Sequence, residues 1–331
     1  MNKFSMGWGK LLLILFVMLF SVVTKVKAAI SWNEVGDYNW MRYIDSNMRI
    51  SQINIPGSHD SGAIDMGKGE GSFLISLFTK TQDLTIFDQL IQGTRYLDIR
   101  LAWDVAKRDV IIVHGVINTS ITFADVLNDI YYFLSLKDNN GQRITDSEAI
   151  VLSLKIDRSG HDNEIISRVM EYISQNPTYW FTNRYIPTLA EVRGKIVLAT
   201  RFTSNFGLSV DWNDMGEANR PQCNVCYKER GVQGLNSFYN VVAQDYYSIS
   251  PENKWNVFSG VLANLKSSAN TILINFLSIS NLDMVGTARS LNNKLLNVNT
   301  QIRPENGWII VDFTRAEIAR KIYRSNIISS Y

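Results

Sequence analysis

Two of the three histidines in this chain stand where an apolar run gives way to polar residues. His59 lies in Ile53-Asn54-Ile55-Pro56-Gly57-Ser58-His59-Asp60-Ser61-Gly62, and His114 in Val113-His114-Gly115. Pro56 and Gly57 are expected to break the first run, which puts His59 and Asp60 on a turn leaving a strand end. A histidine so placed can take or give a proton near neutral pH. The competing reading is a polar turn in which Ser58 or Asp60 caps the next segment. Asp98 and Arg100, in Tyr96-Leu97-Asp98-Ile99-Arg100, are two residues apart and so project from one face of a strand, with Leu97 and Ile99 on the other. Taken alone, such a pair reads equally well as a structural salt bridge.

The inventory limits the chemistry. Ser58, His59 and Asp60 are neighbours on an extended segment and point apart, so they make no serine triad, and the G-x-S-x-G elbow is absent. Paired carboxylates, for example Asp98 with Asp312, would suit glycoside hydrolysis. That scheme leaves two histidines beside an arginine unexplained. Two histidines flanking an arginine suit phosphodiester cleavage: one accepts a proton from an attacking hydroxyl, the other gives one to the leaving oxygen, and the guanidinium forks onto phosphate oxygens.

The elements that must position these groups alternate. β-like runs fall at Ile50–Ile55, Thr94–Leu101, Val110–Val113, Ala149–Ile156, Lys195–Arg201, Asn240–Gln244, Thr271–Leu277 and Trp308–Phe313, most of them continuously apolar as buried parallel strands are. Helix-like periodicity occupies Thr85–Ile91, Phe123–Leu136, Asn163–Ser174, Glu252–Ala269, Val285–Asn297 and Arg315–Ile322. Eight strands with helical crossovers predict a single irregular (β/α)8 TIM-type barrel of the α/β class over residues 29–331. Ala102–Asp109 is too short for a helical crossover, and Phe202–Tyr239 is long and loop-like. Ser31–Met48, with Trp32 and Trp40, is expected to pack across one end of the core.

In such barrels the site gathers at the C-terminal strand ends. Those ends carry His59 and Asp60, then Asp98 and Arg100, His114, Lys155, Arg201, the run Asp245-Tyr246-Tyr247, and Asp312; the seventh run offers only Asn275. So many charges converging there outweigh the salt-bridge reading of any one pair.

With 33 basic and 31 acidic side chains the net charge is +2, and no long basic run is interleaved with aromatics. This argues against nucleic acid as a partner. Lys3 and Lys10 flank the start of an apolar run, Leu11–Val23, followed by Val26-Lys27-Ala28. The run is shorter than the roughly 20 residues of a spanning helix, so residues 1–28 read as a signal peptide, with an uncleaved anchor as the alternative. The mature protein is expected to be secreted and extracellular. Cys223 and Cys226 form a C-x-x-C with no second pair to complete a zinc site. In an exported protein this reads as a local disulfide.

The motifs as a set resemble the bacterial phosphatidylinositol-specific phospholipases C. They are Ile55-Pro-Gly-Ser-His-Asp-Ser61, Gly93-Thr-Arg-Tyr-Leu-Asp-Ile-Arg100, Val113-His-Gly115, Leu152-Ser-Leu-Lys155, Pro187–Leu198, Ala243-Gln-Asp-Tyr-Tyr247 and Gly307-Trp-Ile-Ile-Val-Asp-Phe313. The resemblance runs from about Ile53 to the C-terminus. It implies an irregular (β/α)8 barrel that releases diacylglycerol from phosphatidylinositol, with attack of the inositol 2-hydroxyl on its own phosphate to give a 1,2-cyclic phosphate. It further implies His59 as general base held by Asp312, and His114 as general acid paired with Asp60. Arg100, with Asp98 beside it, would contact the phosphate where eukaryotic relatives hold calcium. Lys155, Arg201 and Asp245 would hydrogen-bond inositol hydroxyls, and Tyr247, or Tyr246 after a one-residue slip, would lie against the ring. No metal or other cofactor is expected. The implied partner is phosphatidylinositol in a membrane surface, met transiently by a monomer, with glycosylphosphatidylinositol anchors as a second lipid class. The apolar Gly71–Phe78, between Lys68 and Lys80, reads either as an interfacial segment or as a core helix. The alternative activities are a metal-dependent glycerophosphodiester phosphodiesterase, against which Arg100 argues, and a catalytically silent inositol-lipid binder.

Overall fold

The computed structural model describes residues 36–64, 80–212, 226–231, 238–281 and 283–326. The signal-peptide reading of residues 1–28, Trp32, Cys223 and the Gly71–Phe78 segment with Lys68 lie outside the described residues. In chain order the elements are β1 (Ile55–Ser58), α1 (Ile86–Ile91), β2 (Tyr96–Asp104), β3 (Asp109–His114), β4 (Ile117–Thr122), α2 (Phe123–Leu134), β5 (Ala149–Ile156), α3 (Asp162–Gln175), β6 (Trp180–Phe181) and α4 (Leu189–Val192). They continue with β7 (Lys195–Thr200), β8 (Leu208–Ser209), β9 (Cys226–Gly231), β10 (Phe238–Gln244), α5 (Pro251–Asn264), β11 (Thr271–Phe276), α6 (Met284–Leu296), β12 (Trp308–Val311) and α7 (Ala316–Arg324). Hydrogen bonding orders the sheet β6-β7-β5-β2-β1-β12-β11-β10-β9, with β8 also on β7 and the β3–β4 pair branching from β2. The ladders from β7 round to β10 are parallel, and the sheet curls into an irregular TIM-type barrel. Among the described residues no ladder joins β10 to β7 or β8. No helix among them is long and apolar enough to cross a membrane.

Three expectations are corrected. The first strand runs over Ile55–Ser58, through Pro56 and Gly57, while Ile50–Gln52 forms a 3-10 turn. Pro56 is tolerated because pairing with β2 begins only at Gly57, so its missing N–H falls beyond the end of that neighbour. Gly57 serves close approach rather than a break: a Cβ there would collide with Ile310 and touch Tyr96. The third strand is no barrel stave, for β3 runs antiparallel to β2 as a hairpin, in keeping with a link too short for a crossover. The long Phe202–Tyr239 stretch is not all loop, since it holds β8 and β9 and the start of β10. β6 and β8 both run parallel on the edge of β7 opposite β5, one beside Ile196 and Val197, the other beside Ala199 and Thr200.

The core lies between strands and helices on two sides. Leu97, Ile99 and Leu101 pack with Leu127, Ile130 and Ile165, while Ile309 and Val311 pack with Phe258, Leu291 and Ile322. The odd parity of β2 therefore faces the helices and delivers Asp98 and Arg100 to the barrel interior. Thr122 starts α2 by a reciprocal cap with Asp125. At the opposite end of the barrel Trp40 is fully buried, stacks on Tyr323 and donates to the Gly93 carbonyl, which places the lead-in across the N-terminal strand ends.

Candidate active site

The turn after β1 is built by side chains from its neighbours. Gln82, fully buried, donates to the His59 carbonyl at 2.9 Å and the Val311 carbonyl at 3.1 Å, tying the exits of β1 and β12 together. Ser61 Oγ accepts from the Asp98 N–H, and Asp98 Oδ2 accepts from the Asp60 N–H. Asp60 adopts the left-handed region, φ +39°, an uncommon conformation for a residue with a side chain, held here by these bonds. Its carboxylate is thereby aimed across the strand ends.

That carboxylate is the centre of the site. Asp60 Oδ1 lies 3.7 Å from His59 Nε2 and Oδ2 lies 3.3 Å from His114 Nε2, while Arg100 Nε approaches Oδ1 at 2.8 Å. Arg100 also forks onto Asp98, with Nε to Oδ1 at 3.0 Å and Nη2 to Oδ2 at 2.8 Å. Its Nη1 meets Asp157 Oδ1 at 3.4 Å, and Lys155 Nζ lies 3.2 Å from the same oxygen. Behind His59, Nδ1 lies 2.8 Å from Asp312 Oδ1. With Asp312 accepting, Nδ1 carries the proton, and Nε2 is the atom turned toward Asp60. Asn292 on α6 holds Asp312 in turn, donating to its carbonyl.

The charge balance sets the protonation states. Asp60, Asp98, Asp157, Asp245 and Asp312 outnumber the fixed cations Arg100, Lys155 and Arg201. Burial disfavours the His59 imidazolium, yet Asp60 and Asp312 outweigh burial and raise its pKa from 6.5 to about 9. Burial likewise disfavours the Asp98 carboxylate, but the Arg100 and Arg201 guanidiniums hold its pKa well below the ordinary value.

A cavity of about 400 Å³ opens over these groups, lined by His59, Asp60, Arg100, His114, Lys155 and Asp157 on one side and by Asp245, Tyr247, Ser278 and Met284 on the other. Tyr247, not Tyr246, stands in the wall. Asp98, Arg201 and Asp312 lie beneath it: Arg201, its side chain 1 % exposed, stacks 3.8 Å above the Trp212 ring and approaches Asp98 and Asp245 at 3.6 and 3.8 Å. Every site residue expected from the sequence is thus in or directly under one cavity. Sequence reasoning missed Asp157, which shares the face of Lys155 two residues before it but lies just past Ile156, where β5 ends in the sequence reading and in the structure alike. It also missed Gln82, Ser278 and Met284, for which no sequence pattern gives a signal. Cys226 is disulfide-bonded, and the chain's other cysteine is Cys223.

His59, Asp60 and Asp98 offer ligand atoms within 4.8 Å of one another, the spacing of a metal site. The set fits a cation poorly, because Arg100 already pairs with both carboxylates at 2.8 Å and a guanidinium there repels a second positive charge.

A parallel barrel with two histidines about one carboxylate at its C-terminal face, and an arginine on that carboxylate, defines a protein equipped for acid–base chemistry on an anionic substrate. Residues 53–202 match the model of the X domain of phosphatidylinositol-specific phospholipase C. A 1-phosphatidylinositol phosphodiesterase of Staphylococcus aureus is 29% identical over 300 residues, covering 83% of this chain and 88% of its own. One from Listeria monocytogenes is 25% identical over 331 residues, covering 95% and 94%. A solved phosphatidylinositol-specific phospholipase C of S. aureus superposes with a TM-score of 0.71 at 26% identity, over 88% of this chain and 98% of its own. The Listeria monocytogenes enzyme, at 23% identity, shares the fold with a TM-score of 0.68 over 89% and 100%. The chain thus carries a match to the X domain of phosphatidylinositol-specific phospholipase C over residues 53–202 and is similar along most of its length to the bacterial enzymes of that class.

Proposed function

We propose that this chain is a secreted phosphatidylinositol-specific phospholipase C that cleaves phosphatidylinositol to diacylglycerol and inositol 1,2-cyclic phosphate. The observation that carries this reading is the Asp60 carboxylate set between the Nε2 atoms of His59 and His114 with Arg100 on its edge, at the wall of the cavity. In the proposed step the inositol 2-hydroxyl loses its proton to His59 Nε2 as its oxygen bonds to phosphorus. The bond from phosphorus to the glycerol oxygen breaks, and that oxygen takes the proton from His114 Nε2. Asp312 fixes the tautomer of His59, Asp60 holds the His114 proton in place, and Arg100 neutralises charge gathering on the phosphate oxygens. Lys155 and Asp245, with Tyr247 against the ring, receive the inositol; Arg201 supports Asp245 from below. The lipid is met at a membrane surface by a monomer after removal of residues 1–28, and glycosylphosphatidylinositol anchors are a further substrate class.

Phosphorus NMR of the purified protein acting on phosphatidylinositol in the presence of EDTA tests the proposal. The expected result is the five-membered cyclic phosphate signal at an unchanged rate with chelator. Turnover lost in EDTA and restored by calcium supports the metal-dependent phosphodiesterase instead. Inositol binding without turnover supports the silent binder.

A further inference from the structure

Behind the cavity wall a lysine is buried that the proposed reaction does not use. Lys254 on α5 is fully buried, and its Nζ donates to Gln244 Oε1 at 2.9 Å and to the Tyr246 carbonyl at 3.1 Å. Gln244 Oε1 also accepts from the Tyr246 N–H at 2.9 Å. The Gln244 amide donates at 2.7 Å each to Asn275 Oδ1 and the Phe276 carbonyl on β11, and Asn275 returns to the Phe258 carbonyl on α5. The peptide groups of Tyr246 are therefore held at both N–H and carbonyl, in a network closed through α5, β10 and β11. The residues on either side of Tyr246 are Asp245 and Tyr247, both in the cavity wall. Burying an amine is costly. Burial lowers the Lys254 pKa to about 7 against the pull of Asp245 and Asp312. A methionine of similar length would fill the same space without that cost, but it would leave Gln244 Oε1 and the Tyr246 carbonyl without their Lys254 donor.

We infer that Lys254 is a positioning residue for the polar head of the substrate: by clamping Tyr246 it presents Asp245 and Tyr247 together to the inositol ring. The inference rests on the inositol-lipid reading above. It predicts a defect in recognising inositol rather than in the chemical step, since His59, His114 and Arg100 are held by other strands. Lys254→Met should raise KM for phosphatidylinositol and the inhibition constant of free myo-inositol roughly ten-fold. The turnover number should stay within about three-fold and its pH profile should keep the same limbs. Lys254→Gln, whose amide still donates to one of the two acceptors, should fall between wild type and Lys254→Met, and it is the variant to read should Lys254→Met fold poorly. Both constants are independent of the folded fraction. Unchanged KM and myo-inositol inhibition in either folded variant, or a loss confined to turnover, would overturn the inference. A wild-type protein that does not cleave the lipid at all counts instead against the proposed function.

Discussion

Arg95, just before β2, and Arg100, within it, are five residues apart and both face carboxylates, but they serve opposite ends of the barrel in different ways. Arg95 and Glu148 are fully buried. The Arg95 guanidinium donates from Nε to Glu148, from Nη1 to the carbonyls of Leu90 and Thr94, and from Nη2 to those of Asp37 and Tyr38. Glu148 accepts in addition from the Met41 N–H and the Ser147 hydroxyl. One cation meets one anion with its hydrogen bonds filled, so this pair has no donor or acceptor left over for a ligand. Arg100 meets Asp60, Asp98 and Asp157 together, beside two histidines and beneath an open cavity. A balanced, saturated network fixes the lead-in to the strand ends. An acid-rich network at a cavity raises the pKa of His59 and sets both histidines about one carboxylate.

The comparison can be broken first at the structural end, where the largest loss of stability is expected. Arg95→Met leaves Glu148 charged and unpaired among buried groups, which costs about 3–5 kcal/mol. The remaining folded enzyme should keep kcat/KM within a few-fold of wild type. Denaturant unfolding beside a folded-fraction-corrected assay checks both halves, and a normal midpoint with lost activity would reverse the assignment of the two ends.

A smaller effect sharpens the functional end. The His59 pKa is raised to about 9 because Asp60 and Asp312 stabilise its imidazolium against burial. As a base it must be neutral, so the acid limb of kcat/KM should lie above the ordinary histidine value and activity should climb as pH rises through neutrality. Asp312→Asn removes one of the stabilising charges, so the limb should move to lower pH, while turnover falls because a neutral amide, which can also donate to Nδ1, no longer fixes the tautomer of His59. Imidazole proton chemical shifts followed through the titration give the same pKa directly. A limb that stays in place in Asp312→Asn would show that His59 does not set it.

The legibility of each end in the sequence follows from which physics acted there. The alternation Leu97, Asp98, Ile99, Arg100 has period two and reads correctly because the helices cover only one face of β2. The polar strand ends were legible for the same reason: charge stands where apolar runs stop. Pro56 and Gly57 misled because they are rare inside a strand; their places depend on register with β2 and on the bulk of Ile310, which local sequence does not carry. The direction of β3 was hinted at by the short link after β2 but was decided by its pairing. Asp157 lies one residue past the end of β5, outside the apolar run by which the strand is recognised. Lys254 and Gln82 look like ordinary polar residues until tertiary packing buries them.

The separation of roles between the two histidines is tested most directly by changing the leaving group. The glycerol alkoxide is too basic to depart unaided, so His114→Ala should lose roughly 10²–10⁴-fold on phosphatidylinositol. An inositol phosphate ester of nitrophenol, whose leaving group needs no proton, should be cleaved by His114→Ala with a much smaller loss. His59→Ala should fail on both substrates, because the 2-hydroxyl still needs a base. Equal losses for His114→Ala on the two leaving groups would contradict the account, and rescue of His59→Ala by nitrophenol would mean that the two roles are reversed.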